Sequence, residues 1–156
     1  MFVPVGDVND NKRFRRVSPY AIFLVSVGDR SGNLQDGASG LNWAFRPGKH
    51  RKNLNEAYIQ LPPAVYKSDF FPLRGTHFTV LTDDGKSLIC TRAQKDERGQ
   101  AIETPQNNGL LGEYFRHRLG LPYGSKVSKE DLLNYGRSNV EFYKIDNETY
   151  EMDFSN

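Results

Sequence analysis

Five side chains able to carry positive charge, Arg46, Lys49, His50, Arg51 and Lys52, crowd seven positions around the step Pro47-Gly48, with no acid between Trp43 and Asn55. Such a cluster suits phosphate and base edges together. An arginine fork can take O6 and N7 of guanine at once, whereas a lysine meets phosphate as a point charge on a flexible stem. Taken alone, a charge run is more often a solvated surface loop; the rest of this chain, however, mixes its signs closely. A second polar stretch, Gln94, Lys95, Asp96, Glu97, Arg98, Gly99 and Gln100, offers amides for adenine edges and acids for cytosine N4. Its plainer reading, a long hairpin tip, weighs about equally. Two projections are worth more than one, because reading a duplex needs its register fixed at more than one point. Trp43, Phe70 and Phe71 could stack on unpaired bases, but core packing is the commoner use of such residues.

Catalytic patterns are incomplete. His50-Arg51-Lys52 matches the start of the H-x-K pattern of phospholipase-D-type phosphodiesterases, yet the position of the expected aspartate holds Ala57. Asp84-Gly85-Lys86 resembles half of a restriction-type metal site, with Asp69 as a distant first carboxylate, but an Asp-Gly step between alternating segments is far better explained as a turn. His50, His77 and His117 stand far apart and form no H-E-x-x-H pairing, and no glycine loop matches a phosphate-binding fingerprint. Cys90 lies in an apolar-patterned strand, where a free thiol acts as a small hydrophobe. No cofactor or metal is expected.

The elements that must position these residues follow from composition and period. A chain of 156 residues, 37% hydrophobic, suits one domain with a real core; its formal charge of +2 is only mildly basic, so any nucleic-acid reading rests on clustering. One cysteine excludes an internal disulfide and fits a reducing, cytoplasmic setting. No apolar stretch approaches a membrane span, and the first residues lack a signal peptide's apolar core. Residues 1–18, with Lys12, Arg13, Arg15 and Arg16, read as an arm or linker end, and the domain as 19–156.

Strands are expected at Tyr20 to Val27, Gly40 to Phe45 and Glu56 to Leu61, the last stopped by Pro62-Pro63. HFTVLT and SLICTR flank Asp83-Asp84-Gly85-Lys86 as a hairpin. A polar excursion then returns through Ala101 and Ile102. A helix should run from about Leu110 to Leu119, capped by Asn107 or Asn108 and closed by Gly120; a second should follow Ser128, whose cap pairs with Asp131, and end at Gly136. VEFYKI and TYEMDF give a closing hairpin. About seven strands, two short helices and no βαβ alternation favour a β-rich α+β domain, a sandwich or partly open barrel.

The strings SGLNW, NEAYIQLP, FFPLRGTHFTVLTDDGKSL, AIETPQNN, LLGEYFRHRLGL and LLNYGRSNVEFYKID together resemble the C-terminal recognition domain of NgoFVII-type restriction endonucleases, over about Tyr20 to Phe154. The resemblance implies an open seven-stranded pseudobarrel with two helices, like the plant B-three DNA-binding domain, whose two loop arms grip the major groove. The first arm would fall on Asn42 to Asn53, including Trp43, and the second on about Arg92 to Thr104. It further implies a phospholipase-D-type nuclease domain elsewhere in the parent enzyme, and some relatives work beside an ATP-dependent translocating partner. The expectation is a monomeric, non-catalytic domain specific for double-stranded DNA, with Arg46, Lys49, Arg51 and Lys52 first among its contacts, then Gln94, Lys95 and Arg98. A small metal-dependent nuclease using Asp69, Asp84 and Lys86, or a protein-interaction domain with a basic loop, is the alternative.

Overall fold

The computed structural model describes residues 19–23, 39–48, 53–93 and 98–156. Residues 1–18, the remainder of the first expected strand with its turn, Lys49 to Lys52, and Gln94 and Lys95 lie outside the described residues.

The strands are β1 (Pro19–Phe23), β2 (Ile59–Gln60), β3 (Phe78–Thr82), β4 (Ser87–Ala93), β5 (Ala101–Glu103), β6 (Asn139–Asp146) and β7 (Thr149–Asp153). They pair in the order β1-β6-β7-β3-β4-β5-β2, β2 being a rung of only two residues. All pairs are antiparallel except β3 with β7, which run parallel with Thr79 opposite Thr149. Three short α-helices are described: α1 (Pro63–Tyr66), α2 (Leu110–Leu119) and α3 (Lys129–Tyr135). The chain is thus β-rich with a few short helices, and among the described residues no helix is long and apolar enough to cross a membrane.

Period-2 patterning decides which faces point inward. β3 buries Phe78, Val80 and Thr82, and β7 buries Tyr150 and Met152. Phe71 sits at the centre, its ring 4.8 Å from Tyr150, 5.1 Å from Phe142 and 5.4 Å from Phe78. Phe70 packs 4.9 Å from Phe71, and its carbonyl accepts a hydrogen bond from the Tyr150 hydroxyl, so the only polar atom of that ring is satisfied. These phenylalanines are core residues, not an exposed stacking platform.

Local signals set most boundaries. The Asp83–Lys86 turn is held by Thr82, whose hydroxyl bonds Asp84 and accepts from the Lys86 amide at 2.9 Å. Asp83 reaches beyond the turn, accepting from the Tyr114 hydroxyl at 2.6 Å on α2 and from the Phe154 amide at 2.8 Å. Ser128 and Asp131 form the expected reciprocal cap of α3, and Gly120 and Gly136 end α2 and α3.

Three expectations are corrected. Residues Gly40–Phe45 form a 3-10 helix rather than a strand. Gly40 has φ of +56°, which turns the chain out of an extended path, and Asn42 is drawn inward by a partner 85 residues away. The strand expected over Glu56 to Leu61 shortens to Ile59–Gln60, because the Ala57 and Tyr58 amides are taken by the carbonyls of Asn108 and Gly40, outside any ladder. At α2 the cap residue is Gly109, with no side-chain cap; Asn107 Oδ1 accepts from the Gly109 amide at 3.0 Å instead. The Pro62-Pro63 step ends β2 as expected and also starts α1, with proline in the first helical turn, where its missing N–H does no harm.

Candidate nucleic-acid interface

The first projection rises from a root built by side chains that reach across the sequence. Asn42 is fully buried; its Nδ2 donates to the Val127 carbonyl at 2.7 Å and its Oδ1 accepts from the Val127 amide at 2.8 Å, so the amide acts as an extra strand rung. Arg116 on α2 is also fully buried, and donates to the carbonyls of Ser125 (2.7 Å), Leu41 (3.0 Å) and Gly112 (3.1 Å). Burial lowers its pKa. The returning limb is seated on α2 itself: a Cβ on Gly112 would lie 1.9 Å from the Asn55 carbonyl oxygen, a gap only glycine leaves. Asn53 Oδ1 accepts from the Asn55 amide at 2.9 Å, and Asn55 Oδ1 accepts from the Gly124 amide at 2.6 Å.

Trp43 and Arg46 brace the same root. The Arg46 guanidinium lies 4.0 Å from the centre of the Trp43 ring, donates to the Trp43 carbonyl at 2.6 Å and pairs with Glu56 at 3.2 Å. Trp43 in turn meets Tyr58 edge to face at 5.4 Å. With 16% of its side chain exposed, Arg46 is turned onto the protein, not out toward a base edge. Lys49, His50, Arg51 and Lys52 fall outside the described residues.

The second projection leaves β4 and returns into β5, so the sheet itself sets its root. Arg92, 1% exposed, donates through Nε to the Gly99 carbonyl at 2.9 Å and through its other nitrogens to the carbonyls of Phe71 and Tyr66. Gly99 has φ of +76°, and a Cβ there would come within 2.8 Å of Arg92 Cβ, so the returning limb needs glycine on both counts. Arg98 is exposed, donating to the Lys67 carbonyl at 3.2 Å. Burial raises the pKa of Glu103 on β5, and Arg74 opposes that rise.

Of the residues singled out by sequence, the structure thus makes Asn42 and Arg92 interior supports, because their polar atoms are buried and bonded to main chain. Arg116 is a support that sequence reasoning missed. Arg92 did carry a signal, since Leu88, Cys90 and Arg92 share the inward face of β4 by strict alternation.

The two roots are held at a fixed separation. Ile59 pairs with Ile102 and Gln60 with Ala101, flanked by the bonds from the Ala57 amide to the Asn108 carbonyl (3.2 Å) and from the Leu61 amide to the Gln100 carbonyl (2.9 Å). Because β2 and β5 are antiparallel, the limb returning from the first segment enters one end of this ladder and the limb returning from the second enters the other. Asp84 and Lys86 face each other at 4.0 Å inside the hairpin turn, and among the described residues no three His, Cys, Asp or Glu gather to hold a metal ion.

A family model described as NgoFVII C-terminal B3-like DNA-binding domain matches residues 21–146. No curated protein matches the chain.

Proposed function

From the premise that the chain belongs to the NgoFVII C-terminal B3-like DNA-binding domain family, we propose that it recognises a specific double-stranded DNA sequence by placing two loop arms in the major groove. The observation that carries this reading is the pair of roots at opposite ends of the β2–β5 ladder. Lys49, His50, Arg51 and Lys52 on the first arm and Gln94, Lys95 and Arg98 on the second supply the contacts, lysines to phosphate and arginines and amides to base edges. Asn42, Trp43, Arg46, Asn53 and Arg92 hold the arms in register. Chemistry on the bound DNA falls to a nuclease domain of the parent enzyme, with residues 1–18 as the linker end.

The test is selection from a randomised duplex library followed by affinity at several salt concentrations. If about 5 to 8 phosphates are neutralised, log K should fall with log salt at a slope of about −4.5 to −7. A flat response, or no enriched sequence, overturns the reading. Incubation with plasmid and magnesium or manganese should give no cleavage; cleavage lost on Asp84→Ala would restore the nuclease alternative.

A further inference from the structure

Between α2 and α3 the chain makes a loop, Leu121 to Lys126, that has no part in the two arms yet is fastened to both limbs of the first. Its start is tied back, with the Leu121 amide donating to the Arg116 carbonyl at 2.9 Å. Its middle donates the Gly124 amide to Asn55 Oδ1 at 2.6 Å. Just beyond it, the Ser125 carbonyl takes Arg116 Nε, and Val127 exchanges two hydrogen bonds with Asn42. Asn42 lies on the limb entering the first segment and Asn55 on the limb leaving it, so the loop and these two limbs form one body.

What this body presents to solvent is unusual for a connector. Tyr123 is 56% exposed and Leu54 42% exposed, and Gly124 lies against Leu54, a Cβ there falling 3.2 Å from Leu54 Cβ. Lys126 is exposed at the end of the same loop. An apolar side chain, a phenol and an ammonium are thus exposed on one short loop and the limb it is tied to. That combination suits the sugar-phosphate backbone: apolar surface packs on deoxyribose, while a hydroxyl and an ammonium meet phosphate oxygens.

We propose that the Leu121–Lys126 loop is a third contact, gripping the phosphate backbone beside the first arm through Tyr123 and Lys126, with Leu54 against the sugar. The inference rests on the DNA-binding reading above. It assigns the loop to positioning: it fixes the register from which the arm reads bases, and carries no sequence information itself.

The experiment uses the whole chain and its selected duplex, comparing wild type with Lys126→Ala, Tyr123→Phe and the double variant Tyr123→Ala/Lys126→Ala. Both residues are exposed, and unchanged thermal unfolding confirms that each variant is folded. Loss of the Lys126 contact should lower affinity roughly 5- to 10-fold at 0.1 M salt, alike for the selected site and its single-base variants, and should lower the salt slope by about 1. The double variant should also expose to hydroxyl radicals a backbone stretch adjoining the first arm's footprint. If the wild type binds tightly but the double variant keeps its affinity, salt slope and footprint, the loop proposal fails and the two-arm reading stands. If the variants lose discrimination at one base pair, the loop reads bases and the positioning role is overturned. If the wild type itself does not bind duplex DNA, the functional reading fails first, and the proposal with it.

Discussion

The roots of the two proposed arms solve the same problem by different means. Each uses a buried arginine that donates to three main-chain carbonyls, Arg116 under the first arm and Arg92 under the second. Around Arg92, however, the β4–β5 ladder already fixes where the chain leaves and returns, with Arg92 itself opposite Ile102. Around Arg116, among the described residues, no ladder joins the limb that leaves to the limb that returns. There the limbs are placed by side-chain amides, Asn42, Asn53 and Asn55, and by the hollow at Gly112. A ladder tolerates many side chains because its bonds are main chain to main chain. A network of amides depends on residue identity at every node.

The hardest test of that contrast removes each arginine. Arg116→Met and Arg92→Met should each cost about 3–5 kcal/mol in chemical denaturation, since three buried carbonyls lose a charged donor. Hydrogen exchange under native conditions should then separate them. In Arg116→Met the Ala57, Tyr58 and Gly124 amides should lose protection, while in Arg92→Met the β4–β5 amides should keep theirs. Equal loss at both roots would break the comparison.

Asn42→Ala should cost about 2 kcal/mol, because it leaves the amide and carbonyl of Val127 buried without partners. Gly99→Ala should cost about 1–3 kcal/mol through the contact with Arg92 and the left-handed backbone. The two effects differ in reach: Asn42→Ala should weaken DNA binding through the first arm at every site, whereas Gly99→Ala should alter preference only at base pairs assigned to the second. Binding to the selected site and its single-base variants checks this.

Smaller effects come from Arg46. Its ion pair with Glu56 is mostly covered but near the surface, so Arg46→Ala should change stability by about 1 kcal/mol or less. On DNA it should lower all affinities together, as a brace would. Loss of discrimination at a single base pair would instead make Arg46 a base reader, as its place beside Pro47-Gly48 suggests from sequence.

A further effect appears only in alkali. Burial pushes the Cys90 thiol from 9.0 up to about 12 and raises the Tyr114 and Tyr150 hydroxyls above 10.0. The folded state therefore holds protons that the unfolded chain releases, and stability should be unaffected below about pH 8 and decline as pH rises past 9. Denaturation midpoints from pH 7 to 11 give the measurement. A flat profile would mean that these groups ionise in place.

Much of the sheet half of the molecule was legible in the sequence, and the first arm's root was not. The β3–β4 hairpin, α2, α3 with its Ser128 cap and the β6–β7 hairpin are each specified by residues close in sequence. By contrast, Gly40–Phe45 carries strand-like residues but is set by Val127, far along the chain. Local period cannot report such a partner. The same limit hid Arg116, which sits among His117 and Arg118 as one of three basic residues ending α2 and is the only one of them fully buried.

The parallel pairing of β7 with β3 bears on the order of events during synthesis. β7 comes last of the described strands yet lies inside the sheet, between β6 and β3, and β1 waits for β6 across more than a hundred residues. Pairings so distant in sequence must pay a large loop-closure entropy before they stabilise anything, which makes folding slow. While a ribosome is still translating, Phe71 is already at hand beside Phe78, but the inward faces of β3 and β4 lack the cover that Tyr150 supplies. Only when residues 149–153 clear the exit tunnel can the centre of the sheet close beneath the two roots. A nascent chain stalled before that point should therefore have little grip on DNA, so competence to bind arrives in a single late step.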